Sequence, residues 1–217
     1  MALILFDLDN TLLTDDSDYL WGCFLVEKGL VDKASYDKAN QRFYDDYKQG
    51  TLDIFEFLKF SLKPLTQYPR KELDKLHGEF MQQYIQPVMT EKGQAQINQH
   101  RENGDFTVII TATNRFVTEP IARAFQVDDL IATDPEIVDG EYTGKVAGTP
   151  CFQEGKITRL KQWLDSTSHD LENSIFYSDS HNDIPLLEQV TTPIAVDPDA
   201  LLKVLATERN WEIRSFR

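Results

Sequence analysis

Sulfur is scarce in this chain of 217 residues: its two cysteines, Cys23 and Cys151, lie far apart with no metal-ligand spacing around either. They read as reduced, structural thiols of a cytoplasmic protein, which excludes a disulfide framework and a thiolate metal site. Positive charge is scarce too, with 22 Lys and Arg against 36 Asp and Glu and a net charge of −14. Such a surface disfavours nucleic acid and anionic membrane as partners. It also offers an anionic substrate no help at long range. Any phosphate site must therefore carry its own positive field, from a metal, a lysine or backbone N–H groups. No stretch approaches the roughly 20 apolar residues of a membrane span. The apolar start, Met1 to Phe6, has no basic lead-in and meets Asp7 and Asp9 at once, so it reads as a buried strand and not as a signal peptide. There is no internal repeat and no low-complexity tract.

What is present fits one α/β core with a modest insertion. Continuous apolar runs at residues 2–6, 107–111, 174–178 and 193–196 suit strands buried on both faces. Helical patterns or turn signals precede them, so the expected sheet is doubly wound and largely parallel. Residues 15–87 show only amphipathic helical spacing, with breaks near Gly29, Gly50, Pro64 to Pro69 and Pro87. The expected organisation is a core of residues 1–14 and 88–217 with a helical insertion at 15–87. Its aromatics Tyr36, Phe43, Tyr44, Phe55, Phe57 and Phe60 read as packing. Asp139-Gly140, between Ile137-Val138 and Glu141-Tyr142-Thr143, predicts a small antiparallel hairpin decorating the core.

Four places carry chemistry. Asp7 and Asp9, one residue apart, follow the first strand, where ligands bind in open α/β sheets. Two carboxylates at a strand end need a cation or hydrogen bonds to stay ionised. One can attack phosphorus while the other serves as acid and then base; acidic turn or cap residues are the plainer alternative. Asp179, Asn182 and Asp183 follow the third strand and form an oxygen-rich cluster suited to Mg²⁺, or a loop capping the next helix. His181 lies among them as a possible substrate contact. Thr111-Ala112-Thr113-Asn114 offers a hydroxyl and helix-start N–H groups to a phosphate, or a simple N-cap. Lys156, after Gly155, is a lone lysine.

In this order the four resemble the motifs of the haloacid dehalogenase-like (HAD) hydrolase superfamily, in its phosphoserine-phosphatase-like branch, subfamily IB. The Asp7-Leu8-Asp9-Asn10-Thr11 and Asp179-Ser180-His181-Asn182-Asp183 segments are the specific ones. The resemblance covers nearly the whole chain. It implies a Rossmann-like core, a helical cap of the C1 type at residues 15–87, and an Mg²⁺-dependent phosphatase forming an aspartyl-phosphate on Asp7. Asp9 would be the acid and then the base. Mg²⁺ would bind Asp7, the Asp9 backbone carbonyl, Asp179 and waters, with Asp183 holding those waters or orienting Lys156. Thr111, Ala112 and Lys156 would grip the phosphoryl group.

The expected partner is a small phosphorylated metabolite, met by a monomer or homodimer. Phosphoserine phosphatases typically carry a cap glutamate for the substrate amine and a cap arginine for its carboxylate. Here Asp15-Asp16-Ser17-Asp18 follows the first motif, with Asp16 or Asp18 able to receive a cation. Residues 50–59 contain no arginine, and Arg42 and Arg70 lie away from them. Without a bidentate guanidinium a carboxylate loses its partner. The expected substrate is therefore an amino-alcohol phosphate such as histidinol phosphate, ahead of phosphoserine. Asn114, His181 and Asn182 are further candidate contacts. Rival readings are a phosphotransferase or mutase, a haloacid dehalogenase, and a non-catalytic phosphate-binding or receiver-like signalling module.

Overall fold

A computed structural model describes residues 2–217. Strand β1 (Leu3–Phe6) is wholly buried, and its alternate residues serve two cores. Leu3 and Leu5 pack on one face of the sheet, Ile4 and Phe6 on the other. This is why the run is continuously apolar. A tight turn at Leu8–Leu12 leads into α1 (Ser17–Glu27), α2 (Lys33–Gln49), α3 (Ile54–Ser61) and α4 (Arg70–Phe80). Aspartates cap the first three: Asp16, Asp32 and Asp53 each accept backbone N–H groups of the first turn. Helix α2 stops at Gly50, which takes the left-handed conformation at φ +70°.

Helix α5 (Glu91–Glu102) returns the chain to β2 (Phe106–Asn114). Then follow α6 (Arg115–Phe125), β3 (Asp129–Thr133), β4 (Pro135–Val138), β5 (Glu141–Val146), α7 (Glu154–Asp165) and β6 (Ile175–Ser178). The chain continues through α8 (Ile184–Leu187), β7 (Thr192–Val196), α9 (Ala200–Glu208) and β8 (Glu212–Arg214). Six strands form one sheet in the order β3-β2-β1-β6-β7-β8, every pair parallel. This is the expected doubly wound α/β sheet. Strand order reverses between β1 and β6, and that is where a crevice opens at the carboxyl ends of the strands.

The four expected strands are present, and no strand lies between β1 and α5 among the described residues. Two sheet members lie outside the expectation. Strand β3 belongs to the main sheet, outside the four apolar runs and before the hairpin. The edge strand β8, Glu-Ile-Arg, is too short and polar to announce itself. β4 and β5 form the predicted hairpin, with Asp139 and Gly140 both at positive φ, as a two-residue primed turn requires.

Candidate active site

The site lies at the carboxyl ends of β1 and β6. Asp7 continues β1, its N–H donating to the Tyr177 carbonyl of β6 at 2.9 Å. Two groups hold its carboxylate. Lys156 Nζ, from the first turn of α7, donates to Oδ1 at 2.7 Å, and the Thr11 hydroxyl stands 3.3 Å from Oδ2. Lys156 also reaches Asp183 Oδ2 at 2.8 Å, and Asp183 accepts from Ser178 Oγ at 2.7 Å. The Thr11 hydroxyl is shared across the crevice: it accepts the Asp179 N–H at 3.0 Å and lies 3.1 Å from Asp179 Oδ1. One threonine thus ties the β1 loop to the β6 loop, 168 residues apart.

After Asp7 the chain bends sharply, with Asn10 at φ +59°, a conformation asparagine tolerates better than most residues. The bend aims Asp9 elsewhere. Its Oδ1 accepts the Ser17 N–H at 2.7 Å, at the start of α1. Its Oδ2 accepts from Thr113 Oγ1 at 2.8 Å and Thr111 Oγ1 at 3.3 Å. Asp9 is therefore held by α1 and β2, apart from the Lys156 network.

Six carboxylates crowd this small volume, those of Asp7, Asp9, Asp16, Asp18, Asp179 and Asp183. Burial, opposed by Lys156 and reinforced by Asp183 and Asp9, raises Asp7 to about 7. Burial also raises Asp9, despite its hydrogen bonds from Ser17, Thr113 and Thr111. Asp18 is pushed to about 7 by burial and then by the Asp9 charge. Asp16 and Asp179 are held well above the carboxylate range by burial first, then by Asp9 and Asp7 respectively. Burial alone would lower Lys156, but the facing carboxylates of Asp183 and Asp7 outweigh it and hold the ammonium charged.

A cleft of about 580 Å³, counted to its open mouth, lies over Asp7 and Asp9. Asp16, Asp18, Thr111, Ala112 and Thr113 line it, and Phe43, Tyr44, Tyr47, Phe57 and Phe152 form an aromatic wall. No Lys, Arg or His is among its lining residues. Arg42 is paired with Glu56 at 2.8 Å, and Arg70 lies over the Tyr142 ring, both away from the cleft.

The structure thus brings Asp7, Asp9, Thr111, Ala112, Lys156, Asp179 and Asp183 together, with Asp16 and Asp18 at the cleft. Three other candidate contacts have their polar groups engaged by protein partners. Asn114 faces inward as the N-cap of α6 and donates to Asp18 Oδ1 at 3.2 Å, so it positions a lining residue without lining the cleft. His181 turns to Asp199 at 2.7 Å. Asn182 is spent on Gln153 at 2.9 Å and the Tyr47 carbonyl at 3.4 Å. The reading of the aromatics as packing also needs amending, because Phe43, Tyr44 and Phe57 face the cleft. Thr113 stood in the Thr111–Asn114 segment without a role of its own, and Tyr47 and Phe152 were not anticipated. Thr113 had a signal, as the second hydroxyl two residues after Thr111 on one face of β2; the two aromatics had none.

Among the described residues no three His, Cys, Asp or Glu side chains form a ready-made metal cage. The donors nevertheless suit Mg²⁺, which keeps several waters and takes only one or two carboxylates. Asp7 and Asp179 share the Thr11 hydroxyl and repel each other, and a hard cation would relieve that repulsion. The Asp9 carboxylate is occupied by its own donors, which leaves its backbone carbonyl for ligation. Asp183 is engaged with Lys156 and Ser178.

Known proteins resemble this chain in sequence and in fold. A family model described as haloacid dehalogenase-like hydrolase matches residues 4–188. A histidinol-phosphatase of Neisseria meningitidis is 45% identical over 219 residues, covering 99% of each chain. A phosphoserine phosphatase of Mycobacterium tuberculosis is 30% identical, covering 100% of this chain and 71% of its own. The crystal structure of a Bordetella pertussis protein of unknown function superposes with a TM-score of 0.94 at 44% identity, covering 100% of this chain and 99% of the other. A substrate-bound phosphoserine phosphatase shares the fold, with a TM-score of 0.69 at 19% identity over 100% of this chain and 93% of its own.

Proposed function

We propose, for a chain that belongs to the haloacid dehalogenase-like hydrolase family and is a phosphatase, that it hydrolyses a small amino-alcohol phosphate, histidinol phosphate ahead of phosphoserine, through an aspartyl-phosphate on Asp7. The observation that carries the substrate class is the lining of the cleft: carboxylates and aromatic rings, with no basic side chain. Asp16 spends Oδ1 on capping α1, accepting Asp18 N and Tyr19 N at 3.0 and 2.8 Å. Its other oxygen has no donor among the described residues and is free to take an ammonium. The aromatic wall suits a flat ring, and a substrate carboxylate would meet only like charge. The relative at 45% identity is named a histidinol-phosphatase, which supports the same choice.

In this reading the Asp7 carboxylate attacks phosphorus. The ester P–O bond breaks, and Asp9, which burial makes a weaker acid than an ordinary aspartic acid, protonates the departing alkoxide. Asp9, now a carboxylate, takes a proton from water as that water attacks the phosphoenzyme, which releases phosphate and restores Asp7. Lys156 and Thr111 stabilise charge on the phosphoryl oxygens. Bound by Asp7, Asp179 and the Asp9 carbonyl, Mg²⁺ would add positive charge where an anionic nucleophile meets an anionic substrate. Residues 15–87 act as the cap that covers the cleft and excludes water.

The test is phosphate release from histidinol phosphate, phosphoserine, sugar phosphates and nucleotides, with Mg²⁺ and with chelator, beside an Asp7→Asn control. We expect metal-dependent release, lost in the control, with kcat/KM for histidinol phosphate at least about tenfold above phosphoserine. A preference for phosphoserine would overturn the substrate assignment. Release that persists in Asp7→Asn would overturn the mechanism.

A further inference from the structure

The last turn of α2 carries a side chain that this mechanism does not use. Tyr47 lines the cleft together with Asp7 and Asp9. Its other side lines a second cleft with Asp179, Ser180, His181 and Asn182. The ring therefore forms a wall between the substrate space and the loop after β6. Three contacts fix that turn on the core. The Tyr47 carbonyl accepts Asn182 Nδ2 at 3.4 Å, and the Tyr47 ring packs against Phe152 with centroids 6.2 Å apart. Gly50 sits so close to His181 that a Cβ there would come within 2.9 Å of Nε2. The core partners are themselves held, Asn182 by Gln153 and His181 by Asp199.

From this arrangement we propose that Tyr47 is a substrate-contacting residue, a neutral phenol carried over Asp7 by α2 that donates its O–H to the bound phosphoryl group. The inference rests on the reading of the cleft as a phosphatase site. A tyrosine phenol is protonated at working pH and can donate, and this one lies close to Asp179, Asp7 and Asp183 as well as to the Ser180 side chain. A donor from this side has a clear use. Lys156 lies beneath Asp7 and is already engaged by two carboxylates, and no other cation lines the cleft. A hydrogen bond to a charged acceptor, strengthened in a site without bulk water, supports a contribution of roughly 10- to 100-fold.

The test uses the intact enzyme, its best ester and orthovanadate as a phosphoryl mimic. For Y47F we expect kcat/KM to fall about 10- to 100-fold and vanadate inhibition to weaken by a similar factor, with an unchanged melting midpoint. G50A keeps the phenol but pushes the turn away from His181. It should lose activity in the same way, and Y47F/G50A should lose little more than Y47F alone. An active wild type whose Y47F variant stays within about twofold in both readouts overturns the role of Tyr47 alone. A wild type that neither turns over any ester nor binds vanadate overturns the phosphatase site and this inference together.

Discussion

Replacing Asp18 by Asn should make the metal-free protein more stable, and increasingly so as pH rises. Asp18 is 8% exposed and lies beside Asp9, and its carboxyl titrates near 7 in the fold against 3.8 when unperturbed. The folded chain thus holds a proton that the unfolded chain releases. Where the native state binds more protons, stability falls as pH rises, here through the window from about 4 to about 7. The gap sets a ceiling of about 4 kcal/mol at pH 8, shrinking to about 1–2 kcal/mol at pH 5. Asparagine keeps an oxygen for the Asn114 amide and cannot ionise, so it removes the penalty without opening a cavity. For a chain of this size the gain corresponds to at most about 8–16 °C in melting midpoint at pH 8. The assay is thermal unfolding in chelator from pH 5 to 8, with an exposed Asp→Asn variant to control for net charge. If D18N is no more stable than wild type at pH 8, or if its gain does not shrink by pH 5, the reasoning fails. The same change should raise KM for an amino ester, since stability and function pull apart at such sites.

Lys156→Met would leave Asp7 and Asp183 buried without their shared cation, costing about 3–5 kcal/mol at neutral pH and abolishing turnover. Part of that loss should return on acidification, as Asp7 takes up a proton, and melts at pH 5 and 8 would show it. Asp9→Asn should lower kcat by roughly 10²- to 10⁴-fold. With p-nitrophenyl phosphate, whose leaving group needs no proton, the nitrophenol burst should survive better than steady-state turnover. Chelation should abolish phosphate release, and in calorimetry at pH 7 Mg²⁺ binding should release protons, because Asp7 and Asp179 are held above the usual range without it.

The sheet and the two acidic loops were legible because they break a rule in plain sight. Asp7 directly follows one apolar run and Asp179 lies one serine beyond another, and charge at the end of a buried strand needs an explanation. The cleft was less legible. Periodicity tells which face of α2 and α3 turns inward, but not whether the space inside is filled. Phe43 and Phe57 both pack against each other and border the cleft, and no pattern in the chain separates those two duties. Asn114 and Asn182 stand in the segments that read as site loops; in the fold they spend their amides on Asp18, Gln153 and Tyr47. The strands β3 and β8 were less legible because they are short and carry polar residues, Asp129 and Thr133 in the first and Glu212 and Arg214 in the second.

The threonine that links the two loops also has a bearing on how the protein matures. Thr11 emerges early in synthesis and Asp179 late, and β1 acquires its β6 neighbour only after the intervening helices and strands have been made. Contacts of such long sequence separation form slowly, since the loop must close before they can contribute. Partly folded or nascent chains should therefore carry Asp7 without its full set of partners and be inert, so that in a refolding experiment the return of turnover marks the final step.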